Sequence, residues 1–103
     1  MAQRIGRRTR VKADAVADYR NWHAKVWPAL LELNAAAGIR NYTIFIEGAD
    51  LFSYFEVDDL DATMAVLESS DVAMKWQKIM APLMEDSHAS NPWIGLEEVF
   101  HQD

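Results

Sequence analysis

The sequence predicts an α+β fold of the ferredoxin-like βαββαβ kind. This is a single domain over residues 1–103, with the helices on one face of a four-stranded antiparallel sheet. Three observations predict it. Runs of strand character stand near the start, in the middle and at the end of the chain; two stretches between them carry apolar residues at three- and four-residue steps; and Gly, Asp and Pro punctuate the junctions. A chain of 103 residues is long enough for one hydrophobic core and too short for two.

From Arg4 to Val11, the residues Ile5, Thr9 and Val11 share one face by period two, which reads as a strand interrupted by Arg7. Asp14 is an N-cap candidate for the helix that follows. Its stripe, Val16, Tyr19, His23, Val26, Leu30, Leu33 and Ala37, recurs at helical spacing until Gly38 closes it. Pro28 falls inside that stripe, where it removes one backbone hydrogen bond and crowds the carbonyl four residues earlier. The helix is therefore expected to kink or restart at Trp27-Pro28. Ile39 to Glu47 and Leu51 to Val57 are rich in β-branched and aromatic residues and are joined by Gly48-Ala49-Asp50, as in an antiparallel hairpin.

Asp59 to Leu67 and Asp71 to about Met84 read as helices, each opened by an aspartate and divided by Ser69-Ser70. The second places Val72, Trp76, Ile79, Met80 and Leu83 in one buried stripe. A polar stretch from Asp86 to Asn91 and Pro92 precede a closing strand from Trp93 to Phe100. Helices on one side leave the other face of such a sheet bare and partly apolar. A patch of this kind is an association site, so a homodimer of the dimeric α+β-barrel kind is expected.

A formal charge of −6 and a pI near 4.9 disfavour nucleic acid or an anionic membrane surface as the main partner, since both reward a basic footprint. Small neutral ligands fit better. The lack of cysteine removes disulfides and thiol nucleophiles together and agrees with a cytoplasmic address. Met1 to Val11 carries four arginines without an apolar run, so neither a signal-peptide core nor a membrane span is expected there.

His23, His88 and His101 stand far apart with no zinc-type spacing, and Gly6, Gly38, Gly48 and Gly95 form no phosphate loop. No metal and no cofactor are expected. Tyr19 and His23, at i and i+4, stack on one helical face that is otherwise apolar. A histidine there is either a hydrogen-bonded core residue or a desolvated ring able to exchange a proton near neutrality. Trp27, Trp76 and Tyr42 fit a core equally, or a sugar site, because indole and phenol offer an apolar face and a polar tip. Asp58, Asp59 and Asp61 lie at a strand–helix junction, where capping accounts for them. Glu97 and Glu98 face opposite sides by alternation, and Glu98, sharing a face with Leu96 and Phe100, is expected to be the buried one.

Taken together, several segments resemble the L-rhamnose mutarotase family: Tyr19, His23 and Val26-Trp27-Pro28; Ile39-Arg40-Asn41-Tyr42-Thr43-Ile44-Phe45; Asp71 to Trp76; and Leu96-Glu97-Glu98-Val99-Phe100-His101. The resemblance spans nearly the whole chain. It implies a ferredoxin-like dimer that interconverts the α and β pyranose anomers of a free deoxy sugar without a cofactor. The catalytic pair would be His23, as proton donor, and Tyr19, and Tyr19, Tyr42 and Trp76 would contact the sugar; Gln77, beside Trp76, is expected to bind it as well. Trp22, Ala29 and Gln77 depart from the family pattern, which typically has Arg, an acid and a second Trp at those places. Three other readings share the fold: a mutarotase for another deoxy sugar such as L-fucose, a dimeric α+β-barrel monooxygenase or haem-binding protein, and a non-catalytic ligand-binding module.

Overall fold

In the computed structural model, which describes residues 2–85 and 95–103, the elements follow the predicted order. They are β1 (Gln3–Arg10), α1 (Val16–Ala24), α2 (Pro28–Ala36), β2 (Arg40–Glu47), β3 (Asp50–Val57), α3 (Leu60–Glu68), α4 (Asp71–Met80) and β4 (Gly95–Leu96). The strands form one antiparallel sheet in the order β2-β3-β1-β4, and the helices lie over one face of it.

The long first helix is two. Lys25 leaves helical geometry (φ −136°), Trp27 is extended (φ −59°, ψ 130°) as the residue before a proline prefers, and Pro28 restarts the helix at its first turn, where its missing N–H costs nothing. Asp14 does not cap α1. It sits exposed in a 3₁₀ turn, Ala13–Ala15, whose entry is fixed by main-chain bonds instead: Val11 N–H to Ala49 O (2.9 Å), Lys12 N–H to Leu83 O (2.8 Å) and Ala15 N–H to Lys12 O (2.9 Å). In the second crossover Asp59 caps α3, accepting from Ala62 N–H. The cap of α4 is Ser70 rather than Asp71, and Pro82 converts the expected last turn into a 3₁₀ turn at Ala81–Leu83. The Thr63 hydroxyl, buried in α3, donates to Ala37 O at 2.7 Å and ties the two crossovers together.

Register decides which side chains reach the covered face. Ile5 pairs with Phe55, Arg7 with Ser53 and Thr9 with Leu51, all beneath the helices. One part of the core gathers Val11, Ala15, Tyr19, Leu51 and Met80, and another gathers Ile39, Phe55 and Val57. Strand β2 carries a bulge: Arg40 opposes Glu56 and Thr43 opposes Tyr54, so Asn41 and Tyr42 together face Phe55. Asn41 supplies the left-handed backbone the bulge needs (φ 52°), which asparagine tolerates better than most residues. Its amide donates to Glu56 Oε2 at 3.1 Å on the bare face, and Tyr42 turns the other way, with its ring 5.5 Å from that of Phe55.

The last strand ends sooner than expected. Among the described residues of the predicted run from Trp93 to Phe100, Gly95 and Leu96 pair with β1 and residues 97–100 do not; Trp93 and Ile94, like the polar stretch from Asp86 to Asn91, lie outside the described residues. Glu98 is exposed, contrary to the alternation argument, as are the other described residues from Gly95 to Asp103 around it. It holds Arg4 in a two-point ion pair, Nε to Oε2 at 3.1 Å and Nη2 to Oε1 at 2.8 Å. Across the bare face, Phe45 and Phe52 are direct cross-strand partners, Phe45 is 65% and Leu96 56% exposed, and the Arg8 guanidinium sits 5.8 Å from the Phe52 ring.

Candidate active site

Between the sheet and the helices lies a cavity of about 490 Å³. Tyr19, His23, Tyr42, Trp76 and Gln77 all line it, so the residues singled out in the sequence converge on one place from α1, β2 and α4. The remaining wall is largely apolar, with Leu30, Ile44, Leu51 and Met80 among its residues. An apolar cavity with a few convergent polar groups is the form of a small-ligand site.

Tyr19 and His23 stack as the helical spacing requires, with ring centroids 4.0 Å apart and planes inclined by 25°. His23 Nδ1 lies 2.9 Å from Tyr19 O. A carbonyl can only accept, so the hydrogen belongs on Nδ1 and the Nε2 lone pair is left for another partner. Burial holds the pKa of His23 below its ordinary 6.5, only partly offset by that carbonyl bond. The ring is therefore neutral at pH 7 and acts first as a proton acceptor. Burial also pushes the Tyr19 hydroxyl well above the usual phenol range, with Tyr42 adding to the rise and Arg7 opposing it. Tyr19 stays a neutral hydroxyl, suited to hydrogen bonding rather than to acting as a base.

Trp76 is the hub that fixes these rings. His23 meets it edge-on at 5.4 Å, Trp27 at 5.2 Å and Trp22 at 6.0 Å, and Trp22 also meets Trp27 at 6.3 Å. Trp22 thus belongs to the aromatic packing behind the cavity. Ala29 is exposed on α2 and is absent from the lining, whereas Gln77 is in it. Of the three departures noted in the sequence, Gln77 is the one that changes the wall facing a ligand.

The sequence reading missed Arg7. In the sequence its charge reads as an interruption of a strand, yet β1 continues through it and its side chain enters the cavity from the covered face, donating from Nη2 to Tyr42 Oη at 3.1 Å. The available signal was parity, since Arg7 shares its face with Ile5 and Thr9. A charged residue in register with apolar neighbours marks a polar opening in the core.

Among the described residues no three His, Asp or Glu side chains gather as a metal site would require, and no helix is long and apolar enough to cross a membrane. Comparison with known proteins gives the family. The family model described as L-rhamnose mutarotase matches residues 4–102. An L-rhamnose mutarotase of Lactiplantibacillus plantarum is 35% identical over 97% of this chain and 98% of its own length, and that of Bacillus subtilis is 34% identical over 90% and 91%. The crystal structure of an L-rhamnose mutarotase from Formosa agariphila superposes with a TM-score of 0.79 at 27% identity, covering 98% of this chain and 99% of the other. With a match to the family model from Arg4 to Gln102, relatives aligned almost end to end and the same arrangement of strands and helices, this chain belongs to the L-rhamnose mutarotase family.

Proposed function

We propose that this protein interconverts the α and β pyranose anomers of L-rhamnose, with His23 moving the proton and Tyr19, Tyr42, Trp76 and Gln77 holding the sugar. The observation that carries the reading is the bond from His23 Nδ1–H to Tyr19 O, which leaves the Nε2 lone pair of a cavity-lining histidine available as a base. Nε2 takes the proton from the anomeric hydroxyl. The C1–O bond to the ring oxygen breaks as C1 becomes an aldehyde, and the imidazolium returns the proton to that oxygen. Rotation about C1–C2 and the reverse steps close the other anomer. His23 is thus the proton donor in the second half of opening and the acceptor in the first, as reversibility requires. Trp76 suits the C–H face of the ring, and the phenols and the Gln77 amide suit its hydroxyls. Saturation-transfer NMR on L-rhamnose tests this: anomer exchange should quicken with protein present, and no gain on L-rhamnose sinks the reading.

A pH profile gives a second check. His23 must be neutral to accept a proton, the neutral form prevails above its pKa, and burial sets that pKa below 6.5. After subtraction of the uncatalysed rate, kcat/KM should fall as the pH is lowered, with the midpoint of the fall below 6.5. A decline centred above 6.5 would contradict the assignment.

The protein is further proposed to be one cytoplasmic domain that works as a homodimer, with Phe45, Phe52 and Leu96 on the covered interface. Their exposure together on the sheet face away from the helices supports this. Light scattering at micromolar concentration should give twice the chain mass, and Phe45→Glu should give the single mass; a wild-type monomer would refute the dimer.

A further inference from the structure

We infer that Arg7 is a positioning residue that makes Tyr42 a hydrogen-bond donor to the sugar, an inference that rests on the mutarotase reading above. Arg7 and Tyr42 stand on β1 and β2, with β3 between them. Two strand spacings, roughly 10 Å, separate their backbones, so only two long side chains reaching toward each other can meet. The neighbours of Arg7 on its own face permit this. Its cross-strand partners are Ser53 on β3 and Gly95 on β4, both small, and Ser53 is buried beneath the path of the guanidinium. The result is the 3.1 Å bond from Arg7 Nη2 to Tyr42 Oη.

That bond has a directional consequence. A guanidinium has no acceptor, so Tyr42 Oη must receive, and the phenol's own hydrogen is left to point elsewhere. Both residues line the cavity, whose wall is otherwise mostly apolar. The Tyr42 hydrogen is thereby offered to a ligand oxygen, and a sugar supplies one. The contact acts on binding, in the ground state and the transition state alike, while the proton is moved by His23.

The test is a kinetic double-mutant cycle by NMR exchange over a range of L-rhamnose concentrations. Arg7→Met should raise KM about tenfold with kcat within about twofold, the pattern of lost uniform binding. Tyr42→Phe should do the same, and the double variant should lose no more than either alone. Arg7→Lys, which keeps a donor and a charge, should recover part of the loss, a rescue that mere packing would not give. Additive losses, or a fall in kcat with KM unchanged, overturn the role of Arg7 while leaving the mutarotase reading intact. A wild type that does not speed exchange overturns both.

Discussion

His23→Gln should reduce kcat for anomer exchange by at least about 100-fold, toward the uncatalysed rate. General acid–base groups contribute roughly 10² to 10⁴-fold, and a glutamine amide cannot take and return a proton at neutral pH. The substitution is chosen for its size. Glutamine fills much of the space of the ring and can still donate to the Tyr19 carbonyl, so the helix and the aromatic packing around Trp76 should survive. KM should change little, since the sugar is held mainly by other groups. Saturation transfer measured against substrate concentration separates the two. A variant with wild-type kcat would remove His23 from the chemistry, and one with raised KM alone would make it a binding residue.

The largest effect on stability should come from Phe55→Ala. Phe55 is fully buried on β3, between Ile5 on β1 and the bulge of β2, and its ring meets that of Tyr42. Truncating a buried phenylalanine to alanine costs about 3–5 kcal/mol, through lost transfer energy and the void that remains. Against a total of about 5–15 kcal/mol for a domain this size, that is a large share. Thermal unfolding should fall by roughly 12 °C or more. Urea unfolding should show a lower midpoint at an unchanged slope, and a loss under 1 kcal/mol would show that the neighbouring side chains collapse into the gap. Activity should fall as well, because Tyr42 loses the ring it leans on.

Most of the architecture was legible because it is written in periodicity. The stripe from Val16 to Ala37 placed Tyr19 and His23 together and inward, and Pro28 marked where the helix restarts. Local chemistry was less readable where tertiary bonds supplied an alternative. Asp14 is a good cap by type, but main-chain bonds from Val11 and Lys12 had already fixed the turn. Glu98 is read from alternation as the buried one of its pair and is exposed, because alternation says nothing of whether an element covers a face. The bulge had a trace that went unread: Ile39 and Ile44 both turn toward the helices, an odd and an even position, which requires one surplus residue between them. Arg7 was the converse case. Its charge counted against a strand only on the assumption that the covered face is uniformly dry.

That surplus residue has a consequence for how the two sides of the sheet communicate. Asn41 is fastened to Glu56 on the open side, Glu56 also accepts from the Tyr54 hydroxyl at 2.8 Å, and the very next residue is the cavity's Tyr42. The sheet is here a lever one peptide long. If a second copy settling on the open side moves Asn41, it moves Tyr42 as well. If that movement changes the affinity for the sugar, reciprocity requires that sugar binding alter subunit association by the same factor, with no element of the fold rearranged.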